Sequence, residues 1–424
     1  MRDGGRLAAA IEVLTDIETR HRPARLALKG WGEASRFAGS KDRAWVSGLV
    51  MDALRKRRSM AWRMGGETPR AVALGVLRFG WGWPAERIAE AAEEEAHGIG
   101  ALTDAERAAL TAPADIARAP PPIQGDYADW LEPAMIRAFG EGRGAAGAAL
   151  SDRAPVDLRI NTLKTDVPRG LKALAPLHAN PIELMPTAAR IAAPDPAVRA
   201  GSVETIPAFS KGWFEVQDLG SQIAAACAGE IKGAQVLDFC AGGGGKTLAL
   251  AAAMGSTGQI YAYDSEARRL ADTVRRSQRA GVRNLQIRSP VEDDPLRGLA
   301  GKMDVVFVDA PCTGSGAWRR NPDTKWRLTP ETLERRQADQ DSVLRDASAF
   351  VKPGGRMVYV TCSVFHEENE DRVAAFLEAH RDFAVTAPPV AFARFATPEG
   401  YLRLAPHTAD TDGFFVAVLT RSKP

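Results

Sequence analysis

The stretch Val236–Thr247, which reads VLDFCAGGGGKT, places four consecutive glycines between an apolar run and a helical run that begins near Lys246. Glycines at such a turn let the backbone approach a ligand closely, and the N-terminus of the helix favours a negatively charged group. The GxxxxGK[ST] pattern of nucleoside-triphosphate loops would need a glycine where Cys240 stands, and GxGxxG lacks its third glycine here. The stretch therefore predicts a ligand-binding loop between a buried strand and a helix, with a purely structural glycine turn as the alternative.

From Val216 onward, short apolar runs alternate with helical stretches. The runs, in order, are QVLDFC, QIYAYD, LQIRSP, MDVVFVDAP, RMVYVTCS and FFVAVL. Strands that alternate with helices indicate βαβ units, which build a parallel sheet covered on both faces. We therefore predict a C-terminal α/β domain of Rossmann-like type over residues 216–424.

The remainder of the chain divides into two further segments. Apolar residues recur at helical spacing from Arg6 to about Leu110, which predicts an all-α domain over residues 1–120. Residues 111–125 (TAPADIARAPPPIQG) have the composition of a linker. The run VDLRINTL alternates like a strand and is followed by several prolines, so we predict a small α+β domain over residues 126–215.

The composition, with 45% hydrophobic and 25% charged residues among 424, excludes a disordered or fibrous chain. The formal net charge of +2 excludes a strongly basic tail protein. It does not exclude a nucleic-acid partner, because binding needs only a local basic patch. Residues 1–63 hold 14 basic and 7 acidic side chains. Within them, the run Arg55, Lys56, Arg57 and Arg58 predicts a phosphate-binding edge, with a solvated helix face as the alternative.

The four cysteines, Cys227, Cys240, Cys312 and Cys362, are too few and too scattered for a disulfide framework. They form no CxxC pair, and the six histidines do not fall at metal-ligand spacing, so we expect no metal site. The first residues lack the apolar segment of a secretory signal, and no stretch of 18 residues is free of polar groups. We expect a cytoplasmic protein with reduced thiols and no membrane partner.

Asp264 follows the second apolar run and comes 18 residues after Lys246. A carboxylate at this place in a doubly wound fold accepts hydrogen bonds from the ribose hydroxyls of an adenosine-containing cofactor. The same residue would also suit the cap of the next helix, and that alternative stays open. The glycine loop and Asp264 together favour a dinucleotide or S-adenosylmethionine site.

Two of the cysteines follow predicted strands, Cys312 in DAPCTG and Cys362 in TCS. The carboxyl ends of parallel strands face the ligand crevice of an open α/β sheet, so we expect both thiols at one site beside Asp309. A lone cysteine is usually an inert core residue. Two at strand ends, followed by the basic segment Arg319–Arg327, favour chemistry over packing.

Several motifs resemble the Sun/Nop family of RNA (cytosine-5) methyltransferases. They are DAPCTGSGAWRRNPDTKW, TCSVFHEEN, DGFFVAVL and VLDFCAGGGGKT, with LRINTLKTD and GWFEVQDLGSQIAA before them. KDRAWVSGLVMDAL and PRAVALGVLRFG resemble the NusB-like RNA-binding domain of the family's bacterial Sun (Fmu) branch. The resemblance implies a NusB-like N-terminal domain and a C-terminal methyltransferase domain. It also implies S-adenosylmethionine as cofactor and a cytosine of 16S ribosomal RNA as target; we expect a monomer.

The family resemblance also implies roles for individual residues. A thiolate that adds to carbon 6 of cytosine lets carbon 5 take the methyl group. By resemblance, Cys362 is this nucleophile, Cys312 assists elimination, and Asp309 hydrogen-bonds the ring. Lys246 would contact the nucleotide or tune the thiol. The resemblance assigns cofactor binding to Cys240, Ala241, Gly242, Gly243, Gly244, Gly245, Lys246, Asp264 and Asp309.

The chain departs from the family pattern at two places. Gly242 and Gly243 replace the Ala and Pro of the usual CAAPGGKT loop, which predicts a looser loop. The family's acidic residue for the adenine has no clear counterpart, because Glu292–Asp294 come slightly after the third strand. The side chains of Cys227 and Cys240 are assigned to packing.

Other functions stay open at this point. One is a transfer RNA cytosine-5 methyltransferase, and another is a non-catalytic RNA-binding factor for ribosome assembly. DNA cytosine methyltransferases carry their nucleophile in a Pro-Cys motif, so the thiol of Cys362 in TCS argues against them. Because a paired base must be unstacked before a thiol reaches it, target choice is expected to depend on the N-terminal domains and on Arg319–Arg327 binding phosphate.

Overall fold

The computed structural model describes residues 1–94, 96–193, 195 and 203–423. Its chain forms two compact units. The helical unit comprises Met1–Ala154, Ala193–Ala200 and Ala317–Leu328, and the sheet unit comprises Pro155–Ala192, Gly201–Gly316 and Thr329–Pro424. Within the described ranges, no helix is both long enough and apolar enough to span a lipid bilayer.

The described residues form α-helices and β-strands that are numbered in chain order. The α-helices are α1 (Asp3–Arg20), α2 (Ala24–Ala34), α3 (Ser40–Arg55), α4 (Arg57–Met64), α5 (Pro69–Gly75), α6 (Ala85–Ala92), α7 (Asp104–Thr111), α8 (Pro121–Gln124), α9 (Glu132–Phe139), α10 (Arg143–Leu150), α11 (Val167–Leu174), α12 (Pro207–Ser210), α13 (Leu219–Ala226), α14 (Gly245–Ala253), α15 (Ala267–Ala280), α16 (Pro322–Arg327), α17 (Pro330–Ser348), α18 (Glu370–Ala379) and α19 (Pro406–Ala409). The strands are β1 (Val156–Ile160), β2 (Asn180–Pro181), β3 (Ala188–Ile191), β4 (Phe214–Val216), β5 (Gln235–Asp238), β6 (Gln259–Tyr263), β7 (Leu285–Arg288), β8 (Met303–Asp309), β9 (Val351–Thr361), β10 (Phe383–Thr386), β11 (Leu402–Leu404) and β12 (Phe414–Arg421).

The helical unit contains α1–α10 and α16. Local sequence signals start its helices: the Thr68 side chain accepts a hydrogen bond from the backbone of α5, and Thr103 and Glu106 form a capping box at α7. The apolar face of α1, which includes Leu7 and Leu14, is buried against α3 and α5. The helical periodicity of the sequence therefore matches a packed face in the structure.

The basic segment Arg319–Arg327 packs into the helical unit. Lys325 is 1% exposed, and its Nζ donates to the backbone oxygen of Arg55 at 3.0 Å and to Oγ of Ser151 at 2.7 Å. Arg319 is also buried, and its backbone oxygen accepts from Nε of Arg55 at 2.9 Å. The expectation that this segment binds RNA phosphate is therefore wrong for Arg319 and Lys325, because burial withholds both cations. It stays a prediction for the segment's other two cations.

Carboxylates of the same unit balance the basic run Arg55–Arg58. The ion pairs, with their N–O distances, are Arg55–Asp52 (2.8 Å), Lys56–Asp152 (3.4 Å), Arg57–Glu18 (2.9 Å) and Arg58–Asp129 (2.6 Å). Arg55 is also buried, so its expected place in a phosphate-binding edge is wrong. At the other three residues a phosphate would compete with a carboxylate already in place, which reduces the electrostatic gain of binding.

The segment 126–215, expected to be one small domain, divides between the two units. Its α9 and α10 belong to the helical unit, where Met135 and Leu150 are buried. From Val156 the chain forms a four-stranded antiparallel sheet, in the order β2-β3-β1-β4, that belongs to the sheet unit. Strand β4 extends to Val216 and pairs with β1, so the small sheet also crosses the expected boundary after residue 215.

The large sheet has the strand order β10-β12-β9-β8-β5-β6-β7, and β11 pairs with β12. The six apolar runs of the sequence form β5–β9 and β12, which gives the expected Rossmann-like arrangement. Neighbours from β7 to β9 are parallel, but β12 is antiparallel to both β9 and β10. The expectation of a wholly parallel sheet is therefore wrong at β12. That strand lies between β9 and β10, and an antiparallel strand does not need the long crossover that a parallel strand requires.

Strands β5 and β8 are neighbours although β6 and β7 separate them in the sequence. The chain thus builds one side of the sheet from β5 outward and the other side from β8 outward. In such a sheet the crevice at the carboxyl ends of the two central strands is the usual ligand site. The glycine loop after β5 and the DAPC motif after β8 both lie at these ends.

We predict that the buried amine of Lys325 gives the helical unit a pH-dependent stability. Burial lowers the pKa of Lys325 from 10.5 to about 7, against the opposing charge of Asp126. Between these two pH values only the unfolded chain holds the proton, so the free energy of unfolding rises with pH by up to about 1.4 kcal/mol per unit. Lys325→Met should remove this rise. The free energy of unfolding of the wild type minus that of the variant should therefore increase between pH 7.5 and 9.

Urea unfolding followed by tryptophan fluorescence measures this effect, because of the nine tryptophans only Trp213 lies outside the helical unit. Lys29→Met is the control, since the Lys29 side chain is 72% exposed. A stability difference for Lys325→Met that does not change with pH would contradict the prediction.

Candidate active site

The glycine loop connects β5 to α14 and requires glycine at two positions. Gly244 caps α14 with φ of 80°, and a Cβ built on it would lie 2.8 Å from the Thr273 side chain. Gly242 has φ of 53°, in the left-handed region that side chains disfavour. The helix begins at Gly245, close to the predicted start at Lys246.

Side chains of neighbouring elements hold this loop in place. The backbone N–H of Gly242 donates to Oδ2 of Asp264 at 2.9 Å, and Oγ1 of Thr273 donates to the backbone oxygen of Gly242 at 2.9 Å. The Arg276 guanidinium donates to the backbone oxygen of Gly243 at 2.6 Å. Where the family's usual loop has a proline to stiffen it, this chain uses hydrogen bonds from α15.

Asp264 is buried directly after β6, and both carboxylate oxygens have backbone partners. Oδ2 accepts from Gly242, and Oδ1 accepts from the N–H of Glu266 at 2.8 Å. The residue therefore fixes both the glycine loop and the turn into α15. The second of these contacts resembles the alternative role of Asp264 as a cap of the following helix. Each carboxylate oxygen retains a further lone pair, so its binding of ribose stays a prediction.

Asp238, at the end of β5, is a buried carboxylate that the sequence reasoning passed over. It is fully buried, and Oγ1 of Thr247 donates to its Oδ2 at 2.6 Å. Burial raises the pKa of Asp238 to about 7. Its Oδ1 has no hydrogen-bond partner among the described residues. An acidic residue at the end of a buried strand, directly before the loop, was the signal that could have found it.

Lys246 projects from the first turn of α14 and pairs with Asp309 at the end of β8. Its Nζ lies 2.7 Å from Oδ2 of Asp309 and 5.3 Å from the centre of the Phe414 ring. Burial alone would lower the pKa of Lys246, but the charge and hydrogen bond of Asp309 outweigh burial, and the pKa is raised. The lysine is therefore held as a cation against the Asp309 carboxylate.

The two predicted thiols meet at the ends of adjacent parallel strands. The Sγ atoms of Cys312 and Cys362 are 3.4 Å apart, although 50 residues separate them in sequence. The pKa of the Cys312 thiol is raised well above its usual value, first by the hydrogen bond with Cys362, then by burial and by the negative charges of Cys362 and Glu368. The surroundings of Cys312 thus favour its protonated form.

Of the other two cysteines, Cys227 is a buried packing residue and Cys240 is half-buried. Burial raises the pKa of Cys227 to about 12 and that of Cys240 well above its usual value. Cys227 belongs to the apolar core between α13 and the large sheet.

Glu292, Asp293 and Asp294 are exposed in the turn after β7.

A buried carboxylate beside the thiols, Glu368, was also missed from the sequence. It lies in the short helical turn His366–Glu368 after β9 and is 0% exposed. The signal was present in HEEN of the TCSVFHEEN motif, but the sequence does not show which of its two glutamates faces inward.

Comparison with known proteins identifies the family. The model of the family described as 16S rRNA methyltransferase RsmB/F matches residues 229–420. The probable ribosomal RNA small subunit methyltransferase B of Synechocystis sp. (strain ATCC 27184 / PCC 6803 / Kazusa) is 32% identical over 308 residues, which cover 70% of this chain and 68% of that protein. The chain belongs to the RsmB/F family. The Sun/Nop resemblance of its motifs is thereby confirmed.

Solved structures show the same fold for this RsmB/F-family chain. The crystal structure of PH0851 has a TM-score of 0.73, with 24% identity and 99% of both chains covered. The crystal structure of NSun6 from Pyrococcus horikoshii with SFG has a TM-score of 0.62, with 20% identity over 70% of this chain and 99% of that chain. At these identities the likeness concerns the fold.

As an RsmB/F-family member, the chain is an S-adenosylmethionine-dependent methyltransferase. The loop after β5 fits that cofactor. A Cβ built on Gly242 meets no atom within 4 Å, so this side of the loop is open. Oδ1 of Asp238, the last residue of β5, is buried without a partner among the described residues and is available to accept a hydrogen bond.

We predict that Arg276 keeps the cofactor loop in its binding conformation. Arg276→Ala should weaken S-adenosylmethionine binding about tenfold, because a charge-assisted hydrogen bond to a backbone oxygen is worth about 1.5 kcal/mol. Isothermal calorimetry measures the dissociation constant. Arg275→Ala is the matched control, since the neighbouring Arg275 side chain is 79% exposed and pairs with Asp272. Equal affinities for the two variants would show that the loop does not need Arg276.

Proposed function

We propose that this chain transfers a methyl group from S-adenosylmethionine to carbon 5 of a cytosine in small-subunit ribosomal RNA. Cys362 is the nucleophile in this proposal, and Cys312 assists release of the product. The observation that carries the proposal is the 3.4 Å approach of the two sulfurs, beside the Lys246–Asp309 ion pair. A single packing cysteine would need neither a second thiol nor a buried ion pair.

The chemistry explains why two thiols are useful. Carbon 5 of cytosine is a poor nucleophile until a thiolate adds to carbon 6 and makes the 5,6 bond enamine-like. After methylation the proton on carbon 5 must leave, and the bond from sulfur to carbon 6 must break. The raised pKa of Cys312 keeps a proton-carrying thiol next to Cys362. In the release step this thiol gives its proton to the Cys362 sulfur as the bond to carbon 6 breaks, and the Cys312 thiolate so formed takes the proton from carbon 5.

The ion pair is assigned to the cytosine ring. The Asp309 carboxylate accepts a hydrogen bond from the exocyclic amine and so orients the ring, and the Lys246 ammonium offsets the negative charge that develops on the ring during thiolate addition. Nζ of Lys246 lies 2.7 Å from Oδ2 of this carboxylate and holds it in place.

The cofactor is assigned to the crevice between β5 and β8. The loop Cys240–Gly245, with Lys246 at the start of α14, approaches it with its backbone, and Asp264 accepts from the ribose hydroxyls through its remaining lone pairs. When bound, S-adenosylmethionine supplies an electrophilic methyl group on a positively charged sulfur. The buried oxygen of Asp238 accepts from the cofactor's amino-acid part.

The RNA target is proposed from the relatives. The Synechocystis protein is described as a probable ribosomal RNA small subunit methyltransferase B, which favours 16S ribosomal RNA. The helical unit, whose motifs resemble a NusB-like domain, is assigned to RNA binding. We propose that the chain acts as a monomer in the cytoplasm. Transfer RNA as substrate and a non-catalytic role in assembly are the outcomes against which the proposal is tested.

We predict that the two thiol variants fail differently. Cys312→Ala should add to cytosine and methylate it, then stall, because elimination lacks its helper. Cys362→Ala cannot form the bond to carbon 6 and should transfer no methyl group. With 16S ribosomal RNA and S-adenosylmethionine, a complex that survives denaturing electrophoresis should therefore appear with Cys312→Ala and be absent with Cys362→Ala.

Cys227→Ala is the matched control, because this buried cysteine lies in the core and should leave turnover unchanged. A trapped complex on Cys362→Ala would reverse the two roles. Intact methylation by both variants would exclude covalent catalysis. Methyl transfer to transfer RNA and not to 16S ribosomal RNA, measured with labelled cofactor, would overturn the substrate.

A further inference from the structure

The carboxylate of Glu368 connects the two cysteine loops. The backbone N–H of Thr313 donates to Oε1 at 2.8 Å, and Oγ1 of Thr313 donates to Oε2 at 2.5 Å. Thr313 directly follows Cys312. Oε2 also accepts from Oγ of Ser363, which directly follows Cys362. One buried side chain thus binds the residue after each thiol.

A second buried side chain completes this cluster. Nε2 of Gln340, on α17, donates to Oε1 of Glu368 at 3.0 Å and to the backbone oxygen of Pro311 at 2.9 Å. Pro311 directly precedes Cys312. Gln340 is also 0% exposed. The Glu368 cluster, consisting of Glu368, Thr313, Ser363 and Gln340, therefore holds the backbone on both sides of Cys312.

The neighbouring hydroxyls are ordered by the same carboxylate. Oγ of Ser363 lies 2.9 Å from Oγ of Ser315, which accepts from the N–H of Val364 at 2.9 Å. If Ser363 donates to Glu368, Ser315 can donate to Ser363, and every hydroxyl proton has an acceptor. Glu368 accepts four hydrogen bonds in this network. Its ionised form can accept all four, so the network favours that form.

The charges around the two sulfurs differ in sign. The titratable groups that face them are Glu368, Tyr359, Lys246 and Asp309. The negative charge of Glu368 acts on Cys312 and contributes to its raised pKa. The ammonium of Lys246 acts on Cys362. Burial raises the pKa of Glu368 itself, although its hydrogen-bond donors oppose this effect.

We propose that Glu368 is a positioning residue for both thiols: it holds the Cys312 and Cys362 loops together and, by its charge, keeps Cys312 in the protonated form needed for product release. This inference rests on the proposed function. Glu368 touches neither sulfur in the hydrogen-bond network, so it acts through Thr313 and Ser363.

Glu368→Gln tests the proposal, because it keeps the shape of the side chain and removes the charge. The first measurement is the rate of alkylation of each cysteine by iodoacetamide against pH, resolved by peptide mass spectrometry on the free enzyme. We expect the midpoint for Cys312 to fall by about one pH unit, because a nearby like charge raises a pKa and its removal reverses that rise. The second is turnover, which should fall at least about tenfold while the KM for S-adenosylmethionine stays unchanged.

Asp304→Asn is the matched control. Asp304 lies at the opposite end of β8, where it accepts from the N–H of Gln235 at 2.7 Å, so the same change of carboxylate to amide should leave the Cys312 midpoint in place. An unchanged Cys312 midpoint in Glu368→Gln, or unchanged turnover, would overturn the proposal.

Ser363→Ala separates charge from packing. It removes one hydrogen bond and keeps the carboxylate, so the Cys312 midpoint should stay near the wild-type value while turnover falls. If the Cys312 midpoint in Ser363→Ala moves as far as it does in Glu368→Gln, the charge of Glu368 does not set that midpoint. Where Glu368→Gln does not fold, Ser363→Ala and Thr313→Val test the connection, and full turnover in both would overturn it. Alkylation needs neither RNA nor cofactor. Failure of the proposed function, seen as no methylation by the wild type, is therefore distinguishable from failure of the Glu368 proposal.

Discussion

The parallel pairing of β8 with β9 is the constraint on which the thiol site depends. In its register Asp309 lies opposite Val360, so the DAPC and TCS motifs leave the sheet at the same edge. The pairing continues past the strands, where the N–H of Gly316 donates to the backbone oxygen of Cys362 at 2.9 Å. A slip of two residues would displace the sulfurs by about 6.6 Å, far beyond their 3.4 Å separation. The sheet register therefore sets the distance that a two-thiol mechanism needs.

The small antiparallel sheet supports the cofactor loop as well as the fold. Glu215 on β4 is buried and pairs with Arg276 at 3.0 Å, and Arg276 binds the backbone oxygen of Gly243 at 2.6 Å. A buried carboxylate orients the arginine, and the arginine orients the loop. This chain of contacts gives a physical reason why the segment before the large sheet belongs to the same unit. It also replaces the stiffness that a proline would give the loop.

Basic residues in this chain serve structure more often than their sequence pattern indicates. The guanidinium of Arg55 and the amine of Lys325 are buried, and both donate to backbone oxygens within the helical unit. A run of cations attracts RNA only where the charges are not already neutralised by neighbouring carboxylates. Runs such as Arg55–Arg58 and Arg319–Arg327 therefore say little about RNA contacts until their ion pairs are known.

The sequence by itself determined the local features of this protein. Periodicity and turn chemistry, which act over a few residues, predicted three features. They are the strand, glycine loop and helix of Val236–Thr247, the six strands of the large sheet that apolar runs marked, and the two thiols at strand ends. Only the tertiary structure decided which segments share a unit, that β12 runs antiparallel, that Lys246 pairs with Asp309, and that Glu368 is the buried glutamate of its motif. These features depend on contacts between residues far apart in the chain, and burial and pairing at such distances leave no local pattern in a single sequence.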